Sequence, residues 1–148
     1  MIENKKYNIG ITGSNEWQNK TQIKEIIFKL KKQYNSDFVI VTRGSLKGVD
    51  SLVRKYALEF DCNFAEFTPR HLSKTLYSVD IKFEKYNQPW ASKDIYIQGR
   101  KFVKMCHAFI IFKNGDDDPI DKIIKEITKL NKKFKLFESY EAVGNRRS

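Results

Sequence analysis

The residues best suited to binding chemistry lie in a turn between an apolar segment and a helical pattern, VTRGSLKGVDSLVRKYA at 41–57. Gly44 and Gly48 leave the backbone without a Cβ, so an anion can approach the amides closely. Ser45 adds a hydroxyl, and Arg43 adds a guanidinium that can hold a phosphate through paired hydrogen bonds. A helix that begins here also carries unpaired amides and partial positive charge at its first turn. The turn therefore predicts a site for a phosphate or a similar anion.

The spacing of this turn differs from the two common phosphate-binding motifs. Its glycines are not followed by Gly-Lys-Ser or Gly-Lys-Thr as in a P-loop, and they do not follow the G-x-G-x-x-G pattern. Strand-to-helix turns also contain glycine for purely conformational reasons. Asp50, just inside the predicted helix, is suited equally to capping the amides of its own turn and to binding a ribose hydroxyl. Taken alone, the turn leaves both interpretations open.

Hydrophobic periodicity identifies the elements that would position the turn. The β-prone segments are YNIGIT (7–12), DFVIVT (37–42), NFAEFT (63–68), HAFIIF (107–112) and FKLF (134–137). Apolar residues at helical spacing form three buried stripes: Ile23, Ile26, Ile27, Leu30 and Tyr34; Val49, Leu52, Val53, Tyr56, Ala57 and Phe60; and Ile120, Ile123, Ile124, Ile127 and Leu130. Residues 94–106 are also predicted to be helical, and Asp118-Pro119 is predicted to be the N-cap and first-turn pair of the last helix. The irregular segment 69–93 is predicted to be a loop, with at most one short helix, that is placed to cover the binding edge.

Strands that alternate with helices predict an α/β fold. We expect a Rossmann-like three-layer sandwich, with a mostly parallel sheet of about five strands and helices on both faces. Right-handed crossovers then bring the loops after the strands to one edge, where open α/β sheets bind ligands. Gly13-Ser14, the 43–48 turn and the 113–118 loop would all lie there. The sequence predicts one domain over residues 1–138 and a polar C-terminal tail over 139–148.

Composition narrows the class of protein. The two cysteines, Cys62 and Cys106, lie in apolar segments and are expected to be free thiols, which favours a reducing, cytoplasmic location. The longest apolar run, AFIIF at 108–112, is too short to span a bilayer, so we expect no membrane partner. His71 and His107 form no metal-ligand spacing with the cysteines. The sequence therefore predicts neither a metal nor a cofactor.

The charge balance makes a polyanion partner worth considering. The chain of 148 residues carries a formal net charge of +10, from 28 Lys and Arg against 18 Asp and Glu. Much of the excess is lysine on the predicted outer faces of helices, which is typical of an ordinary solvated surface. Nucleic acid is therefore the less favoured partner, and a homo-oligomer stays open.

Three segments together resemble the SLOG superfamily, named for Smf/DprA and LOG proteins. They are ITGSNEW after the first strand, RGSLKGVDSLVRKYA after the second, and GRKFVKMCHAFIIF entering the fourth. The resemblance covers residues 7–137 and is greatest to the small stand-alone YspA-like branch. It implies a Rossmann-like sheet that binds nucleotides or nucleotide-derived ligands over its glycine-rich turns.

The resemblance also implies which residues contact a ligand. Seven residues match positions of the family pattern: Gly13, Ser14, Gly44, Ser45, Gly48, Asp50 and Arg100. Three positions depart from it, because Asn15 stands where an arginine is usual, Arg43 where the first of two glycines is usual, and His107 where an aspartate is usual. Asn15 and Arg43 lie in the same two loops and complete the predicted ligand-binding set. No catalytic residue is predicted.

The loop after the fourth strand, KNGDDDP at 113–119, favours a binding protein over an enzyme. It lacks the Gly-Thr that LOG-type enzymes use with a nearby glutamate, and its aspartates would repel a phosphate at that helix start. We expect capture of a nucleotide or an ADP-ribose-like ligand by a sensor or sequestering protein. One alternative is a nucleotide N-glycosidic hydrolase or transferase of LOG or deoxyribosyltransferase type, with Asp50, Asp94 or Asp116 as acid or nucleophile. Another is DprA-like binding of single-stranded nucleic acid.

Overall fold

The computed structural model describes residues 7–35, 37–45, 47–67 and 100–139. Strands and helices alternate along these ranges, as the hydrophobic periodicity predicts. The elements are β1 (Tyr7–Gly13), α1 (Lys20–Tyr34), β2 (Phe38–Thr42), α2 (Gly48–Glu59), β3 (Asn63–Glu66), α3 (helical residues 100–105), β4 (Ala108–Asn114), α4 (Asp118–Lys129) and β5 (Lys133–Ser139). The predicted loop at 69–93 and positions 94–99 of the predicted third helix lie outside the described residues.

The five strands form one parallel sheet in the order β3-β2-β1-β4-β5. The predicted Rossmann-like α/β architecture is confirmed. The strand order reverses between β1 and β4, because the chain first builds outward from β1 through β2 to β3 and then returns to add β4 and β5 on the other side. The helices that follow β1 and β4 therefore lie on opposite faces of the sheet, and such a switch point is where open α/β sheets have their binding crevice.

Two apolar clusters show that helices cover both faces of the sheet. One cluster joins alternate sheet residues to α1 and α2, with Ile23, Ile27, Val49 and Val53 buried in it. The other joins the opposite face to α3 and α4, with Phe102, Val103, Ile120, Ile123 and Ile127 buried in it. Adjacent residues of β4 divide between the two, since Phe112 belongs to the first and Ile111 to the second. The core is thus split by the sheet into two layers.

Three boundaries near the C-terminus differ from the sequence-based expectation. The N-cap of α4 is Asp117 and not Asp118, because the Asp117 carboxylate accepts the Ile120 amide at 3.2 Å. Leu130 is 43% exposed and leaves the predicted buried stripe, since α4 ends at Lys129. Ser139 pairs with Asn114 of β4, so the first residue of the predicted tail belongs to the sheet. The remaining residues, 140–148, lie outside the described part.

The structure also tests what composition predicts for the two cysteines and for membrane-spanning helices. Cys62 and Cys106 are free and buried, as predicted. Burial raises the pKa of the Cys106 thiol to about 12, against the smaller lowering effect of Lys132, so this thiol stays protonated and behaves as a small apolar group. Within the described ranges, no helix combines the length and the apolar character needed to cross a bilayer.

Lys132 closes the end of α3. Its ammonium donates hydrogen bonds to the carbonyl oxygens of Val103 at 2.8 Å, Lys104 at 3.0 Å and Cys106 at 2.8 Å. We expect Lys132→Met to lower the free energy of unfolding by about 1.5–3 kcal/mol, the range for hydrogen bonds to a charged group. Lys129→Met is the control, because the Lys129 ammonium is exposed and its recorded ion pair with Glu126 is 3.7 Å long. Urea denaturation measures both variants, and equal losses would contradict the capping role.

Candidate functional site

The loops that follow β1 and β2 meet at the carboxyl edge of the sheet. Arg43 extends from the end of β2 to β1, where its Nε donates to Thr12 Oγ1 at 2.9 Å and its Nη2 lies 3.5 Å from the Gly13 carbonyl oxygen. The Ser45 hydroxyl donates to Asn15 Oδ1 at 3.0 Å. Residues about 30 positions apart in the chain thereby form one continuous polar surface.

Asp50 ties the first turn of α2 to both loops. Its Oδ1 accepts the Thr12 hydroxyl at 2.5 Å, and its Oδ2 accepts the Ser45 amide at 3.1 Å. The side chain is 1% exposed. Burial raises the pKa of Asp50, although Arg43 and the two hydrogen bonds act in the opposite direction. Since both carboxylate oxygens have donors in the protein, Asp50 has the capping role considered for it above and holds the turn in place.

Gly48 is the point where the start of α2 touches the loop after β1. Its φ is +64°, and a Cβ added there would overlap the Asn15 Cα and the Ser14 carbonyl oxygen. The same carbonyl accepts the Val49 amide at 3.2 Å. The oxygen that approaches this glycine in the structure is therefore a protein carbonyl, and it occupies the helix start where the sequence predicts a phosphate.

Three further amides of the turn are engaged by protein acceptors. The Gly44 amide donates to Thr42 Oγ1 at 3.2 Å, and the Lys47 amide donates to Ser45 Oγ at 3.3 Å. The Ser45 amide is bound by Asp50 as described above. In this conformation the turn does not present these amides to a ligand. The polar side chains at the rim of the turn are therefore the candidate ligand contacts.

Ser14 and Asp117 bridge the crevice between β1 and β4. The Ser14 hydroxyl donates to Asp117 Oδ2 at 2.7 Å and accepts the Asn114 amide at 2.9 Å. Asp117 uses its other oxygen to cap α4. From the sequence alone, Asp117 is expected only to repel phosphate, whereas the structure shows that it fixes the loop after β1 against the loop after β4.

The crevice has a cationic side and an acidic side. Arg43 is half-buried on the β2 side, next to the exposed side chain of Asn15 and the half-buried Ser45. Asp116 and Asp118 are exposed on the α4 side. Carboxylates accept hydrogen bonds from hydroxyl and amino groups, and a guanidinium donates to anions. The arrangement suits a ligand that carries both an anionic group and several hydroxyl or amino donors.

Eight of the nine predicted ligand-binding residues lie in this connected network, and the ninth, Arg100, does not. Arg100 has an exposed side chain in α3, and no hydrogen bond or ion pair recorded for the described residues joins it to the two loops. His107 directly precedes β4 and lies at the amino-terminal ends of the strands, away from the two loops. Its Nδ1 accepts the Asn8 amide at 2.9 Å, and its ring stacks on Tyr7. Within the described ranges, no group of three or more potential metal ligands occurs.

Sequence reasoning missed three polar residues of this edge. Thr12 joins Arg43 to Asp50, Asp117 anchors Ser14, and Glu66 is a buried acid at the end of β3, 3.7 Å from the Arg54 Nε. The available signal was their position, because Thr12 and Glu66 lie near the carboxyl ends of predicted strands and Asp117 lies in the loop after the predicted fourth strand. Polar side chains at that edge of a parallel sheet are the ones that converge.

No protein-family model, no curated protein and no solved structure matches this chain. Membership of the SLOG superfamily stays a hypothesis based on the three segments quoted above.

Proposed function

We propose that this protein is a SLOG-like domain that binds a nucleotide or a nucleotide-derived ligand such as ADP-ribose at the carboxyl edge of its sheet, as a sensor or sequestering protein. The observation that carries the proposal is the position of Arg43. Its guanidinium crosses from β2 to the end of β1 and is held there by Thr12 and Gly13, beside the switch point between β1 and β4.

The proposed binding mode follows from the two sides of the crevice. Arg43 binds a phosphate of the ligand through charge-assisted hydrogen bonds. Asn15 and Ser45 lie within the same surface and supply neutral hydrogen-bonding groups. The exposed carboxylate of Asp116 accepts a hydroxyl or amino group of the ligand on the opposite side. A nucleotide-derived molecule carries both kinds of group.

The same geometry favours binding over turnover. Cleavage of an N-glycosidic bond needs an accessible carboxyl group beside the ribose. Asp50 is buried with both oxygens hydrogen-bonded, and Asp117 is likewise engaged on both oxygens. Asp116 is the exposed candidate of the enzyme alternative, and Asp94 lies outside the described residues.

Replacing Arg43 tests the proposal. We expect Arg43→Ala to weaken ADP-ribose binding by about 1.5–3 kcal/mol, because a charge-assisted hydrogen bond is lost. Arg43→Lys should recover only part of the affinity, since an ammonium keeps the charge without the planar fork. Lys47→Ala is the matched control, because it removes the same charge from an exposed position of the same turn. Isothermal titration calorimetry measures all four proteins, and thermal unfolding checks that each is folded.

Two further measurements separate the alternatives. Arg43→Ala should barely change the affinity for DNA, which should fall steeply with added salt, whereas ADP-ribose binding should be much less sensitive to salt. Base release from a panel of nucleotides that disappears in Asp116→Asn would establish the enzyme alternative. Equal weakening by Arg43→Ala and Lys47→Ala, or no binding of any nucleotide in the panel, would contradict the proposed site.

A further inference from the structure

Asn114 and Gly115, at the carboxyl end of β4, form a pair that can react without an enzyme. Asn114 is the only asparagine in the sequence that is followed by glycine. Glycine has no side chain to shield its backbone nitrogen. Nothing lies within 4 Å of the position that a Cβ of Gly115 would take. There is therefore open space beside the peptide unit on which the Asn114 side chain can close.

The reaction open to this pair is deamidation, which needs only water, and asparagine is one of the thermolabile residue types. The Gly115 nitrogen attacks Cγ of Asn114, the Cγ–Nδ2 bond breaks, and ammonia leaves with the proton of the Gly115 amide. Water then opens the cyclic imide. Opening at Cγ gives aspartate, and opening at the main-chain carbonyl gives isoaspartate, in which the main chain runs through the side-chain carbons. Neither step oxidises or reduces any atom.

Both reacting groups are hydrogen-bonded in the folded chain. The Gly115 amide donates to the Ser139 carbonyl oxygen of β5 at 2.6 Å. The Asn114 Nδ2 donates to the Glu16 carbonyl oxygen, in the loop after β1, at 3.2 Å. Ring closure uses the nitrogen of the first bond and turns the side chain out of the second, so both bonds have to open. Local opening of this edge therefore sets the rate in the folded protein.

Ser14 restrains the same end of β4 from the side of β1. Its hydroxyl accepts the Asn114 amide at 2.9 Å and donates to Asp117 Oδ2 at 2.7 Å. These bonds hold Asn114 in the strand conformation in which it pairs with Ser139. Removal of the Ser14 hydroxyl takes away one restraint on opening and leaves the reacting groups themselves unchanged.

Conversion loosens the contact between β4 and the loop after β1. Both products lack the Nδ2 donor to Glu16. In the aspartate product a carboxylate oxygen replaces that donor, so two acceptors face each other and repel. In the isoaspartate product the lengthened main chain interrupts the pairing of position 114 with Ser139.

We infer that Asn114 is a site of spontaneous covalent modification, which deamidates through the Gly115 nitrogen at a rate governed by the hydrogen bonds that close the carboxyl end of β4. The inference is independent of the proposed ligand, because its readouts are the chemical state of Asn114 and the protection of the Gly115 amide from exchange.

Peptide mapping by mass spectrometry, during incubation of the intact protein in buffer, tests the modification. The mass change from amide to acid should accumulate at Asn114, and isoaspartyl methyltransferase should label the converted chain. Asn15 and Asn131 are internal controls that should stay unchanged, because both are exposed but are followed by glutamate and lysine. The same chain unfolded in guanidinium chloride should convert at Asn114 about tenfold faster or more, since two hydrogen bonds no longer have to open.

Hydrogen exchange of the Gly115 amide tests the mechanism, because exchange and attack need the same opening. Ser14→Ala should accelerate exchange at Gly115 and deamidation at Asn114 by a similar factor. Ser51→Ala, which removes a serine hydroxyl from α2, is the matched control and should change neither rate. Far-ultraviolet circular dichroism checks the fold of both variants. The comparison of folded and unfolded wild-type chains holds whether or not Ser14→Ala folds.

Four outcomes would overturn the inference. Absence of conversion at Asn114 in the folded chain would show that the native protein is not modified there. Equal rates in the folded and unfolded chains would remove the control by hydrogen bonds. Conversion of Asn15 or Asn131 as fast as that of Asn114 would show that exposure, and not the following glycine, decides. A folded Ser14→Ala protein with both rates unchanged would contradict the proposed opening.

Discussion

Gly48→Ala is expected to lower the free energy of unfolding by about 3 kcal/mol or more, which is at or above the upper end of the usual range for single substitutions. The alanine has two costs. Its φ of +64° is unfavourable for any residue with a Cβ, and that Cβ overlaps the backbone of Ser14 and Asn15, which cannot move aside as the end of a side chain can. The sequence alone presents Gly48 as an opening for a ligand, whereas the structure makes it a packing contact.

Gly115→Ala separates the two costs. Gly115 has nearly the same φ, +62°, but nothing lies within 4 Å of the position of an added Cβ. This variant should lose only the conformational preference, about 1–2 kcal/mol. The difference between the variants then measures the close packing of α2 against the loop after β1. Urea denaturation measures the free energy of unfolding of both variants. Equal losses of this free energy would mean that the loop after β1 moves away from the added Cβ with no measurable loss of stability.

Asp50→Ala is expected to destabilise the fold by about 3–4 kcal/mol, because the Thr12 hydroxyl and the Ser45 amide lose their acceptor in a site closed to water. Asp50→Asn should lose much less, since its carbonyl oxygen still accepts one of these hydrogen bonds. Chemical denaturation at neutral pH measures both variants. A small loss in Asp50→Ala would contradict the role of this residue as the tie between the two loops.

The raised pKa of Asp50 also predicts a pH dependence of known sign. The folded protein holds this proton more tightly than the unfolded chain, whose pKa is near the ordinary 3.8. Stability from Asp50 is therefore fully present below pH 3.8 and is lost as the pH rises to the folded pKa. In that interval, the unfolding free energy of the wild type should fall relative to that of Asp50→Asn. Parallel profiles of the two proteins would show that the Arg43 charge and the hydrogen bonds offset the effect of burial.

The amino-acid sequence by itself determined the elements of this protein and the edge at which its loops gather. The alternation of β-prone segments with helical stripes such as Ile23 and Ile27 is local information, since burial of one face imposes a period that can be detected in a short window. Parallel strands with right-handed crossovers then bring the loops after β1, β2 and β4 to one side. Eight of the nine predicted ligand-binding residues converge for that reason.

Tertiary structure alone decided what these residues do there. The approach of Ser14 to Gly48 and its hydrogen bond to Asp117, 103 residues away, depend on which strands are neighbours, and no local pattern carries that information. The same holds for Asp50, whose two roles look alike until the positions of Thr12 and Ser45 are known. The exposure of Phe134 and Leu136 likewise follows from the place of β5 at the end of the described strand order, because the segment FKLF would be buried on both faces at the centre of the sheet.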